Sequence, residues 1–280
     1  MRSILAVAAS ALALAAAGGA KAASVEIRDA VARVTVIPED RSDVRVEFLS
    51  RNPKLPFEVR TRGSEVVVDG GLSHRIRSCS RGDRPRAAVW GVGEVEGDAV
   101  PQVVIHTPRA VMVSSNGVVF GAIGRAGSVQ LRDSGCSTWT IADVQGDVSV
   151  DESGAGLVRM GAMGRLDVRL SGAADIHAVR VRQGVTASLS GKGGLKVEDL
   201  VDGPMDAHVS GLGRVRVAEG RASNVRALVS GMGGVDFGGS AGGLEADISG
   251  VGTVHVRQVT GPVTKSVSGI GHVSIDDQRS

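Results

Sequence analysis

Ser-Gly pairs begin at Ser134, Ser153, Ser171, Ser190, Ser210, Ser230, Ser249 and Ser268, and Ser115-Asn116 extends the series upstream by one further step. The successive spacings are 19, 18, 19, 20, 20, 19 and 19 residues, with 19 for the upstream step. A period held over about 165 residues defines a repeat architecture, in which no unit buries its apolar face alone and stacked neighbours share one core.

Within a repeat the apolar residues alternate, which is strand periodicity. Counting Ser as position 1, position 6 reads Phe120, Trp139, Val158, Ile176, Leu195, Val215, Val235, Val254 and Val273. Position 8 reads Ile141, Met160, Ala178, Val197, Val217, Phe237, Val256 and Ile275. Both columns are expected to point inward. A third inward position recurs at Val144, Val181, Leu200 and Val259, followed by a second strand with inward residues such as Val225, Ala227 and Val229.

Strands of constant register every 19 residues bury such columns by stacking coil on coil at about 4.8 Å. The expected fold is all-β, a parallel β-helix of about 19-residue coils in the right-handed form. Nine coils would span roughly 40 Å. Glycine at positions 2 and 4 has two possible reasons: a positive φ at a tight corner, or no room for a Cβ against the next coil.

Upstream of the repeats, the first residues carry one Arg, an apolar run from Ile4 to Ala17, and the small-residue ending Ala20-Lys21-Ala22. This reads as a signal peptide over 1–22, too short in its apolar part for a spanning helix. The chain is then expected to be exported, to periplasm or cell exterior, with no membrane span after cleavage. Residues 23–113 follow a looser strand pattern and should form the first coils and an N-terminal cap. Candidate strands are Val25–Ile27, Val31–Ile37, Val44–Leu49, Phe57–Arg60, Glu65–Val68, Val103–His106 and Val111–Val113. Residues 74–100 have no period and five Arg, and read as a surface excursion. Residues 114–280 form the repeat β-helix.

Loss of residues 1–22 removes Arg2 and Lys21, lowering Lys+Arg from 32 to 30, equal to the 30 Asp+Glu. A formally neutral chain argues against nucleic acid, whose binding normally draws on a basic surface. With 40 Gly, no Tyr and 2% aromatic residues, the core should be narrow and aliphatic.

The segment Val103-Val104-Ile105-His106-Thr107-Pro108, followed by Ser-Gly coils, resembles the GIN domain family of exported bacterial proteins, described as auto-transporter adhesin heads of unknown function. The resemblance covers most of the mature length and implies an adhesin-like envelope protein. The family's repeat Asp is kept at Asp175, whereas Gly194, Arg214, Gly234, Thr253 and His272 stand at the corresponding positions.

Cys79 and Cys136 are the only cysteines, and an oxidising compartment makes a disulfide the simplest reading, with inert thiols or a catalytic thiol as alternatives. Such a bond would pin the excursion to a coil corner. The outward acids Asp167, Asp206, Asp236 and Glu245 fall in different columns or several coils apart, and the six His show no metal-ligand spacing. His177 and His255 share outward position 7, four coils apart. No catalytic set, cofactor site or metal site is expected. Trp139 should point inward, and Trp90 should staple the excursion to the helix side or, as the alternative, offer an exposed contact.

Outward position 7 of four successive coils reads Arg159, His177, Lys196 and Arg216, a basic ladder that is either a solvated strip of splayed side chains or a surface for an anionic ligand such as an acidic polysaccharide. The expected function is a non-catalytic envelope protein, adhesin-like or structural, whose partner is an envelope polysaccharide or another envelope protein. The alternative is a carbohydrate-active β-helix enzyme of lyase or hydrolase type.

Overall fold

The computed structural model describes residues 23–79 and 86–278, so the signal peptide expected over 1–22 lies outside the described residues. The chain forms an all-β solenoid of stacked parallel coils about 19 residues apart, with about nine turns.

The N-terminal region supplies β1 (Ser24–Glu39), β2 (Arg45–Ser50), β3 (Glu58–Arg62), β4 (Glu65–Asp69), β5 (Ile76–Cys79), β6 (Arg86–Val89), β7 (Gly93–Glu96), β8 (Gln102–Pro108) and β9 (Ala110–Ile123). The repeats continue with β10 (Ser128–Asp133), β11 (Thr138–Ile141), β12 (Val148–Glu152), β13 (Leu157–Leu170), β14 (Ala173–Leu189), β15 (Lys192–Leu200) and β16 (Met205–Val209). The last coils hold β17 (Arg214–Ala222), β18 (Val225–Val229), β19 (Gly234–Ala241), β20 (Leu244–Ile248), β21 (Thr253–Val259), β22 (Val263–Val267) and β23 (His272–Gln278).

Two parallel sheets enclose the core. Sheet 1 stacks the start of β9, then β10, β12, the ends of β13 and β14, then β16, β18, β20 and β22. Sheet 2 stacks the end of β9, then β11, the starts of β13 and β14, then β15, β17, β19, β21 and β23. The Ser-Gly corner carries the chain from sheet 1 to sheet 2. There the coil-to-coil hydrogen bonds continue without a break, as in Ser190 N–H to Leu170 O at 2.9 Å and Ser230 N–H to Val209 O at 2.9 Å. The glycine at position 2 of the repeat is there for space: a Cβ on Gly191 would overlap the carbonyl of Gly172 in the preceding coil. Both reasons meet at Gly193, where φ is 117° and a Cβ would overlap the carbonyl of Ala174.

Both inward columns are buried from Trp139 and Ile141 through Val254 and Val256, and the third column holds Val144, Val181, Leu200 and Val259 at 0–1% exposure. One upstream member departs. Ser115 pairs with Asp133 and Phe120 with Thr138, a step of 18, so the true counterpart of Ser134-Gly135 is Asn116-Gly117. A one-residue slip turns a strand's faces over. Phe120 therefore leaves the interior, and Gly121 takes the place beside Trp139, where any Cβ would collide with the indole ring.

The N-terminal strands fall close to their expected places, but their stacking is out of chain order. β1 lies between β9 on one side and β4 with β8 on the other, all parallel to it. β2 and β3 then pair antiparallel with β8 and β4 and end the stack. The excursion is more structured than a surface loop. β5, β6 and β7 form an antiparallel sheet, and Ala87, Val89 and Val95 pack with Val31, Val118 and the outward-turned Phe120 in a second apolar cluster. Residues 80–85 lie outside the described residues. Cys136 at the corner before β11 is bonded to Cys79 at the end of β5, with Cα atoms 6.3 Å apart. Trp90, expected as a staple, is 65% exposed, because the aliphatic residues of β6 and β7 fill that contact instead.

Candidate functional site

On the outer face of sheet 2, parallel register sets one residue of each coil beside the same residue of the next. Arg159 pairs with His177, His177 with Lys196, and Lys196 with Arg216, so the four basic positions form one continuous ladder. Arg214 lies two residues before Arg216 on β17, in the same coil as Gly194 pairs with. Because Gly194 has no side chain, the face dips there into a shallow groove of about 440 Å³ lined by Asp175, His177, Gly194, Lys196, Arg214 and Arg216.

The ladder is partly neutralised by its own strands. Glu198, two residues beyond Lys196 on β15, accepts hydrogen bonds from Lys196 Nζ at 2.7 Å and His177 Nε2 at 2.7 Å. Those bonds, Lys196 foremost, hold the Glu198 carboxyl below the usual range. Arg216 reaches Asp236 of the next coil at 3.8 Å. The lysine and Arg216 remain about half exposed, so their charge is open to solvent and to a ligand.

In the next coil the same column turns acidic. Asp236 follows Arg216, and His255 follows Asp236. The His255 ring is clamped between Asp236 through Nδ1 and Asp276 through Nε2, both at 3.1 Å. The hydrogen bonds to Asp236 and Asp276 push its pKa up, favouring the imidazolium. Beside it, Glu219, Ser240, Arg257, Asp276 and Asp277 border a hollow of about 510 Å³. Sequence spacing separates these groups by up to 58 residues; only the coil register brings them together.

Of the other acids, Asp167, Asp206 and Glu245 share one outward column of sheet 1, but Thr186 and Arg226 stand between them. His177 and His255 share the position 7 column at four coils' separation, as spacing indicated. Among the described residues, no group of three or more His, Cys, Asp or Glu could hold a metal ion, and no helix is long and apolar enough to cross a membrane. The sequence reading passed over Asp133 and Glu152, which are buried inside the solenoid at 2% and 0% exposure. Their signal was the residue just before each Ser, where later coils carry Leu170, Leu189, Val209, Val229 and Ile248.

No family model and no curated protein matches this chain. Among solved structures it is similar to a crystal structure of a candidate cell adhesion protein from Clostridium sporogenes, at 9% identity, covering 92% of this chain and 94% of that one, with a TM-score of 0.20. A likeness at that TM-score carries no argument about fold or function.

Proposed function

We propose that this protein is a non-catalytic, exported envelope protein that binds an acidic polysaccharide along the outer face of sheet 2, in the manner of an adhesin. The observation that carries the reading is the in-register run Arg159, His177, Lys196 and Arg216 beside a groove opened by Gly194. A rigid parallel sheet repeats its side chains at about 4.8 Å, a spacing that suits a polymer with regularly repeated charge. Preorganised cations lose little conformational freedom on binding. The Cys79–Cys136 bond supports an oxidising destination. The Thr107-Pro108 strand end and the Ser-Gly coils support kinship with the GIN domain proteins.

A second reading, a carbohydrate-active enzyme, draws on the Asp236–His255–Asp276 clamp and the acidic hollow beside it. One experiment addresses both. Binding to polygalacturonate and to uncharged dextran is measured across a salt series for wild type and for a triple variant, Arg159→Gln, Lys196→Gln and Arg216→Gln, with product analysis of the same mixtures. Expected are selective polygalacturonate binding at low salt, loss of about tenfold or more in the triple variant, and no cleavage products. Equal affinity of the two proteins at every salt concentration overturns the binding surface, and products that vanish in Asp276→Asn favour the enzyme.

A further inference from the structure

Asp133 and Glu152 end β10 and β12, and the register pairs them directly, one coil apart. The column they occupy runs inward: Ser115 lies before them and Leu170 after them. Two carboxyl groups are thus stacked inside a closed, apolar solenoid.

Their hydrogen bonding is incomplete. One oxygen of Asp133 accepts bonds from the hydroxyls of Ser115 and Ser137, the latter at 2.9 Å. One oxygen of Glu152 accepts the Gly154 N–H at 3.1 Å. The second oxygen of each carboxyl has no partner in hydrogen-bond geometry, nor has the indole N–H of the wholly buried Trp139, although that indole and the Gly135 N–H lie near enough to Asp133 to offset part of the upward push of burial on its pKa. No Lys, Arg or His ion-pairs with either carboxyl among the described residues, and the one further charge acting on Glu152 is that of Asp151 on its own strand. The neighbours in the column are a hydroxyl and a leucine. Two negative charges one strand spacing apart in a dry interior repel strongly, and neither has a cation to offset it.

We propose that Asp133 and Glu152 share one proton inside the folded solenoid at neutral pH, and that losing it to solvent loosens the corner that carries Cys136. Burial, with the Asp133 charge second, pushes Glu152 up to about 8, and burial raises Asp133 as well. The folded pair therefore keeps its proton where the unfolded chain has released it. The stability tied to this group is fully present below the ordinary carboxylate range and is lost as pH rises through about 8. The corner between the two acids and Trp139 includes Ser137, which bonds Asp133, and Cys136, which anchors the β5–β7 sheet. Deprotonation acts first on that joint.

The test compares melting of wild type and Glu152→Gln from pH 5 to pH 9, with infrared spectra at pH 7. Gln keeps the shape and removes the titration. Wild type should lose about 10 °C more than the variant over this range, and the carbonyl band of a protonated carboxylic acid should be present in wild type and absent in the variant. Asp133→Asn provides the second variant: by removing the neighbouring charge it should move the wild-type transition to lower pH. Parallel melting curves with no protonated carboxyl band overturn the proposal. So does a wild-type melting temperature at pH 8 that rises on adding calcium or sodium chloride while Glu152→Gln does not respond, since a cation would then fill the place assigned to the proton.

Discussion

Val235 is 1% exposed and pairs in register with Val215 before it and Val254 after it. A charge at this position would have neither water nor counterion. Val235→Asp should cost about 4 kcal/mol or more and lower the melting temperature by roughly 10 °C, read by thermal unfolding at pH 7; unchanged melting would mean that the register is wrong. This column was plain in the sequence because alternation and period agree there. Phe120 was misread because Ser115 imitates the repeat serine one residue early, and a one-residue error reverses a strand's faces. Asp133 and Glu152 were passed over for a different reason. The eye follows apolar columns, and an acid standing in one looks like the end of the column rather than a member of it.

Among the elements, the β5–β7 sheet is the part the sequence disclosed least. It has no period, its strands are four residues each, and its apolar side exists only because Phe120 and Val118 turn outward beneath it. The cysteines did announce the tether, since two thiols in a chain expected to meet an oxidising compartment are best joined. Their bond spans a sequence separation of 57 residues, worth about 4 kcal/mol by loop-closure entropy. The coil-to-coil pairing of the solenoid does not run through that link. In a Cys79→Ser, Cys136→Ser variant the coils should keep their strand circular dichroism, while trypsin should cut at Arg75, Arg77 or Arg86 at least about tenfold faster than in wild type. Equal cutting rates would show that the apolar cluster alone holds this sheet down.

At the scale of the whole molecule, the two halves of the chain are connected differently. From β13 onward each strand pairs with a strand about 19 residues away, so every coil completes itself on the one before. β1 does not share this economy. Val25 stands beside Val66 on one side and Val113 on the other, and Val34 beside Val103 and Gly121. No stretch of sequence near β1 could reveal those partners, because both faces of its backbone are satisfied by segments far downstream. Contacts of long sequence separation form late, after short-range ones have lowered the entropy of closing the intervening loops. Pulse-labelled hydrogen exchange during refolding should protect the amides of β15–β21 first and those of β1 last; β1 protected together with the earliest group would contradict this order. β1, the most N-terminal of the described strands, is thus expected to be placed last. Until β9 and the β4–β8 layer arrive, it waits with two open edges, and whatever accompanies the chain in that interval has to keep those edges from pairing with another molecule.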